Sequence, residues 1–385
     1  MLYEFSAPMP YFKEHIDKLS EISNFLEKSK IISLYFSLPT NSSDFTGFEQ
    51  DRYNWDFVTD FEYWKPLIEY SIEKNFQFVY VLNSPKIHNG ANSDFQINLE
   101  KLHKLIINLK NLGCNKMRVS NPQLMGYLNK NYPEIELYIS TSTELQTIQQ
   151  YSNLFYMFKN IKEVVPSWDL NKNFRFLKNI QKKFPEIKVE LMVNEGCIPA
   201  CPFRNIHNNW FNTKTNNKNS NFYYSASFFK ENCLRIMNQN LLLFLSASNI
   251  IYPWNIKEYE NIGINKFKFV GRNNIEFRNG KYLECYEHYL KGIDNIKNIE
   301  NISIRYFNNY IYKYLNFNET VKDLIKYLPD IRYSKKYGHL CAARCGVECR
   351  YCYKCAEEIQ KVFNKKQEAM IKRTIPACVI RKHQV

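Results

Sequence analysis

Lys116-Met-Arg-Val-Ser-Asn121 runs into Pro122-Gln-Leu-Met-Gly-Tyr-Leu-Asn-Lys-Asn131, and three residues later comes Ile135-Glu-Leu-Tyr-Ile-Ser140. The outer two pieces are short, rich in β-branched or aromatic residues, and read as strands. The middle piece spaces Leu124, Met125 and Leu128 on one helical face and opens with proline, which suits a first helical position. The same strand–helix–strand unit recurs on both sides. Strands are expected at Ile31–Leu38, Gln77–Asn83, Glu163–Ser167, Lys188–Val193, Asn249–Trp254 and Lys266–Val270, besides the two just quoted. Helices are expected at Phe61–Lys74, Asn98–Asn111, Ser142–Tyr151 and Asn171–Phe184, besides Pro122–Asn131. Eight strands alternating with helices indicate an α/β chain folded as a (β/α)₈ TIM-like barrel. An open doubly wound sheet ranks below it, because no glycine-rich phosphate loop follows the first strand.

The composition agrees with a globular protein. The 385 residues are 45% hydrophobic and carry 52 Lys+Arg against 38 Asp+Glu, a net of +14, which argues against an acidic tail or wholesale disorder. No apolar run approaches the roughly 18 residues of a membrane span. The N-terminus lacks the basic-then-apolar pattern of a secretory signal, so a cytoplasmic location is expected. Four segments are expected: a helical lead-in over 1–30, the barrel over 31–275, a connecting α/β segment over 276–330 and a Cys-rich appendix over 331–385. The appendix holds thirteen Lys/Arg against four Asp/Glu and ends in a helix at Ala356–Arg373. Residues 205–221 form a polar, Asn-rich insertion, read as a surface loop or lid. Polar residues also collect just after the expected strands, at Asn83-Ser84, Asn121, Ser140–Ser142, Ser167–Asp169, Asn194–Cys197 and Gly271-Arg272. In a barrel these positions form the catalytic rim, although loops are polar in any case.

Eleven cysteines are an odd number, and five of them fall between Cys341 and Cys355. Without a secretion signal this crowding points to metal rather than disulfides. Cys341-x₃-Cys345-x₃-Cys349-x₂-Cys352-x₂-Cys355 suits a [4Fe–4S] cluster, with Arg344, Arg350 and Lys354 to offset its charge. A Cys₄ zinc site is the alternative. Cys197-x₃-Cys201 follows a strand, with Gly196 allowing a sharp turn and Pro202 fitting the first turn of a helix, and Cys233 lies further on. Cys114, Cys285 and Cys378 stand alone and read as bystanders.

Val193-Asn-Glu-Gly-Cys-Ile-Pro-Ala-Cys-Pro-Phe-Arg-Asn-Ile-His207 resembles the corresponding motif of the peptidase U32 (collagenase-like) family. Met117–Leu124, Ile139–Ser142 and Pro253–Arg272 extend the resemblance over roughly residues 30–275. The resemblance implies a TIM-like barrel with a Cys-bound iron–sulfur cluster and oxygen-independent hydroxylation of a tRNA or rRNA base or of a quinone ring. Prephenate is the oxygen donor in some relatives. One partition of the thiols gives Cys197, Cys201, Cys233 and Cys341 to a barrel cluster, and Cys345, Cys349, Cys352 and Cys355 to a second.

On this basis Glu195, His207 and Arg272 are the candidate catalytic residues. Arg204 and Lys268, with Arg272, are candidates for binding an anionic co-substrate. The expected partners are an electron-donor protein or small-molecule oxygen donor and a tRNA or rRNA, with room for a heteromeric partner. Three other functions remain open. Cys345-x₃-Cys349-x₂-Cys352 matches the spacing of radical S-adenosylmethionine enzymes, but only 33 residues follow Cys352 where those enzymes place a barrel. The basic appendix with Tyr333, Tyr337, Tyr351 and Tyr353 suits an RNA-binding module with structural zinc. A peptidase ranks last, since neither His-Glu-x-x-His nor Gly-x-Ser-x-Gly occurs.

Overall fold

A computed structural model describes residues 1–37, 61–82, 95–195, 197–198, 201–204, 233, 249–270, 280–294, 357 and 360–361. Eight parallel strands close on themselves in chain order: β1 (Tyr3–Pro8), β2 (Ser29–Phe36), β3 (Gln77–Leu82), β4 (Lys116–Val119), β5 (Glu136–Ile139), β6 (Ile161–Val164), β7 (Lys188–Met192) and β8 (Lys266–Lys268). β8 pairs with β1 through Glu4↔Lys266, Phe5↔Phe267 and Ser6↔Lys268, so no edge is left open. Around the barrel run α1 (Lys13–Phe25), α2 (Phe61–Glu73), α3 (Phe95–Asn111), α4 (Pro122–Asn131), α5 (Ile148–Met157), α6 (Phe174–Lys183), α7 (Ile256–Glu260) and α8 (Lys281–Asp294).

Local chemistry explains where the helices begin. Asn121 Oδ1 accepts from Gln123 N at 2.8 Å and Leu124 N at 3.1 Å, and Pro122 follows it, so α4 starts where the sequence indicates. Ser142–Tyr151 is not one helix. Thr141–Thr143 is a single 3₁₀ turn, and α5 begins only after Thr147, whose side chain forms a capping box with Gln150. Gly113, at φ 75°, makes the left-handed exit from α3 that a side chain would disfavour.

Two strand assignments need correcting. The barrel begins at Tyr3–Pro8, inside the segment expected to be a helical lead-in; only Lys13–Phe25 is helical there. Its alternation matches the strand, with Phe5 and Ala7 facing the helices and Ser6 facing the polar interior. Asn249–Trp254 forms no strand. Ile251 N donates to Val193 O at 3.0 Å, and Pro253–Asn255 then turns as a 3₁₀ helix. β7 already pairs with β8 through Glu190↔Lys266, Leu191↔Phe267 and Met192↔Lys268, so no gap remains for a strand between them. β6 ends at Val164, short of the expected Ser167, in keeping with Pro166, which has no N–H to donate.

The main core lies between strands and helices. Phe269 stacks on Tyr286 of α8 at 4.1 Å and on Phe5 at 5.1 Å, so α8 seals the β8–β1 closure. Tyr35, Val79, Val81 and Tyr138 form a separate cluster on the other side of the strands. Among the described residues no helix is long and apolar enough to cross a membrane.

Candidate functional site at the mouth of the barrel

Strand alternation sorts the side chains into an apolar outer layer and a charged inner one. Met117 and Val119, Val189 and Leu191, and Phe267 and Phe269 join the outer core. Their neighbours Arg118, Glu190, Lys266 and Lys268 turn the other way and are buried, as is Glu163 on β6. Arg118 Nη2 donates to Glu163 Oε1 at 2.6 Å. Its Nη1 lies 2.6 Å from Glu190 Oε2, close but not aligned as a hydrogen bond. Lys266 Nζ donates to the other oxygen of Glu163, and Ser6 Oγ donates to the other oxygen of Glu190. Ser33 Oγ lies 2.6 Å from Ser6 Oγ and, with Ser6 committed to Glu190, is its donor. Six strands therefore contribute to one ionic network.

Aromatic faces complete this layer. Lys268 Nζ lies 3.7 Å from the centre of the Tyr35 ring, and the Tyr35 hydroxyl donates to Phe269 O at 2.7 Å. Lys266 and Arg118 lie 5.4 and 5.9 Å from the Tyr138 ring centre. TIM-barrel interiors are ordinarily filled by branched apolar residues. A buried ionic network gains little stability over apolar packing, because desolvation opposes the Coulomb attraction. The network lies inside the barrel, beneath the C-terminal ends of the strands, as a buried ionic floor.

The environments of the two carboxylates drive their acidities apart. Burial and the neighbouring Glu190 push Glu163 up, against the pull of Lys266 and Arg118. Burial also works against the Glu190 anion, but Arg118, Lys268, Lys266 and the Ser6 hydroxyl more than offset it and hold Glu190 below the usual range. An unfolded glutamate takes up its proton near pH 4.3. Below that pH the unfolded chain binds a proton that folded Glu190 refuses, so its contribution is lost as pH falls. Glu163 contributes oppositely: its stabilisation is complete below about pH 4.3 and is lost as pH rises through its raised folded value. Glu190→Gln should therefore flatten the acid limb of stability against pH, and Glu163→Gln should steepen it. Urea unfolding between about pH 3 and 6 checks this; parallel curves for the two variants would refute the assignment.

Above this floor lies the rim. Asn194, directly after β7, donates through Nδ2 to Val270 O at 2.9 Å and accepts from Val270 N at 2.7 Å, clasping the ends of β7 and β8. Asn171 Nδ2 donates to Met192 O at 2.7 Å and to Asn249 O at 3.1 Å. Several of the polar residues that mark the rim in the sequence are thus structural caps and clasps.

Cys197 and Cys233 are thiols packed against the edge of the core, and Cys201 is a half-buried thiol, none of them in a disulfide. Burial pushes Cys197 up to about 12, with Glu195, Cys201 and Cys233 adding to the rise and Arg204 opposing it. Burial pushes Cys233 up as well, with Cys201 adding. The three thiols therefore share one electrostatic neighbourhood. Among the described residues no three His, Cys, Asp or Glu side chains are placed to hold a metal ion.

Arg204 is buried beside them, and its Nε donates to Glu144 Oε1 at 2.8 Å. Burial works against its charge, but Cys197, Glu195 and Glu144 more than offset that and keep the guanidinium firmly protonated. Glu195 is half-buried in the turn after β7. Lys268 closes β8 over the ionic floor. His207, Arg272, Cys341, Cys345, Cys349, Cys352 and Cys355 lie outside the described residues. Cys114 and Cys285 are buried, and burial pushes the Cys114 thiol up to about 11. Cys378 lies outside the described residues.

Sequence reasoning passed over Arg118, Glu163, Glu190, Lys266, Ser6, Tyr35, Tyr138 and Glu144. A signal was present: Lys116-Met-Arg118-Val, Lys188-Val-Glu190-Leu and Lys266-Phe-Lys268-Phe place charge at every second position of strands that parallel barrels normally make apolar on both faces.

The profile of peptidase family U32 matches residues 52–321. A curated relative from Methanocaldococcus jannaschii, described as an uncharacterized protease, is 24% identical over 262 residues, covering 67% of this chain and 72% of its own. Among solved structures, the U32 peptidase Mk0906 aligns with 59% of this chain and 84% of its own at 12% identity and a TM-score of 0.43. Dihydrodipicolinate synthase from Bacteroides thetaiotaomicron aligns with 94% and 98% at 9% identity and a TM-score of 0.38. Overlaps this loose decide nothing by themselves; strand pairing establishes the barrel, and the sequence match establishes the lineage. The motif around Cys197 and Cys201, set after the seventh strand of a closed parallel barrel, lies inside that match, and the chain belongs to peptidase family U32.

Proposed function

We propose that this chain is an iron–sulfur enzyme, an oxygen-independent hydroxylase or oxidoreductase that modifies an RNA base or a small ring substrate at the C-terminal mouth of its barrel. The observation that supports this reading is the thiol-bearing turn after β7, where Cys197 lies within electrostatic reach of Cys201, Cys233 and the buried Arg204. Soft thiol donors next to a fixed guanidinium suit the chemistry of a cluster whose thiolates leave a net negative charge, although the three described thiols are not placed to hold a metal in this arrangement. These cysteines would hold it, with a further ligand from the appendix, for which Cys341 is the candidate. When bound, such a cluster supplies one-electron redox change and Lewis acidity at an iron with an open position.

The chain's own residues would do the rest. Arg204 balances charge at the thiols. Lys268, carried on the face of Tyr35, offers a cation to an anionic co-substrate. Glu195, His207 and Arg272 are the candidates for proton transfer and for binding the co-substrate at the rim. The remaining appendix cysteines suit a second cluster or a zinc site.

Iron, zinc and acid-labile sulfide per chain, measured on anaerobically purified protein with its visible and EPR spectra, test the proposal. About four iron and four sulfide are expected for one cluster, and about eight of each for two. Zinc without sulfide would reduce the metal to a structural role and sink the redox reading. The protease description of the M. jannaschii relative supplies the competing function, and degradation of casein by iron-free protein would favour it.

A further inference from the structure

Glu144 joins three rim loops through one carboxylate. Ser167 Oγ, after β6, donates to its Oε2 at 2.6 Å, and Arg204 Nε, after β7, donates to its Oε1 at 2.8 Å. Glu144 itself ends the 3₁₀ turn after β5, where its N–H donates to Thr141 O at 3.0 Å. Its backbone is left-handed, at φ 50° and ψ 39°; only Asn75 shares a positive φ among the described non-glycine residues. An L-residue keeps such a conformation only where its surroundings enforce it, and such residues gather at functional sites. On the other side, Arg204 N donates to Cys201 O at 3.2 Å, which ties the Arg204 backbone to that of Cys201, and the guanidinium lies within electrostatic reach of Cys197.

We infer that Glu144 is a positioning residue: gripped by Ser167 and held in a left-handed turn, it fixes the Arg204 guanidinium in the neighbourhood of Cys197, so that the Arg204 charge acts on the thiols. The inference rests on the proposed thiol site but not on the identity of what the thiols bind. Positioning differs in sign from a simple charge effect. Were Glu144 only a nearby negative charge, its removal would favour thiolates. If Glu144 positions Arg204, its removal releases the cation and disfavours them.

The test uses full-length, anaerobically purified protein. If that protein holds no iron, which defeats the cofactor proposal alone, Cys197 and Cys201 are alkylated with iodoacetamide at fixed pH and followed by peptide mass spectrometry. Arg204→Gln and Glu144→Gly are both expected to slow alkylation several-fold. Glu144→Gln keeps an oxygen for Arg204 Nε and should stay at or above the wild-type rate. If the protein holds iron, the midpoint potential is read instead, and Arg204→Gln and Glu144→Gly should both shift it negative, because a lost cation disfavours the reduced cluster.

The inference is overturned if Glu144→Gly leaves rate or potential unchanged, or moves it opposite to Arg204→Gln. Buried Cys114 reports folding in the same digest. Should Glu144→Gly expose it, Ser167→Ala removes only the hydroxyl that grips Oε2 and must give a smaller shift of the same sign, with no shift overturning the inference.

Discussion

Arg118→Met is expected to destabilise the fold by roughly 3–5 kcal/mol, the largest stability effect of any single substitution inside the barrel. Arg118 bridges Glu163 and Glu190, and all three side chains are buried. Removing the bridge leaves two buried carboxylates with only Lys266 and Lys268 to offset them, and an uncompensated buried charge costs far more than the intact pair contributes. A urea titration should show a lower midpoint at unchanged slope, since the surface exposed on unfolding stays the same. Adding Glu163→Gln and Glu190→Gln to Arg118→Met should recover much of the loss, because the buried charges that needed the guanidinium are then gone. A change below about 1 kcal/mol for the single variant would mean that water reaches the network and that the barrel interior is open.

Cys197→Ser is expected to have the largest effect on the proposed cofactor, removing most of the iron and sulfide. Serine matches the shape of cysteine but offers a hard, protonated oxygen where a soft thiolate is needed. Loss of a direct ligand should exceed the roughly 10–100-fold weakening that follows loss of an outer partner of a ligand. Cys201→Ser should behave alike, whereas Cys114→Ala, behind β3 and β4, should leave the metal content untouched. Wild-type iron in Cys197→Ser would remove the barrel thiols from the site and leave the appendix as the place of any metal.

Much of the barrel was legible because parallel strands and their covering helices leave local marks. Pro122 with its Asn121 cap, and the apolar runs at 77–82 and 188–192, need no distant partner to be recognised. Asn249–Trp254 was expected as a strand because local propensity does not distinguish an extended segment that pairs from one that merely packs, whereas Tyr3–Pro8 is a six-residue strand just before the helix at Lys13–Phe25 within the expected helical lead-in. Only the closure of β8 on β1 and the direct pairing of β7 with β8 settle which is a strand.

By itself the sequence determined the (β/α)₈ class, the supply of thiols and the motif around Cys197 and Cys201, because each is written in neighbouring residues. The tertiary structure alone decided that Ser6 meets Glu190 across a separation of 184 residues, that Arg118 joins two carboxylates, and that Glu144 grips Arg204. Such meetings depend on barrel register and closure. A shift of one residue would turn every one of these charges from the interior to the apolar outer layer.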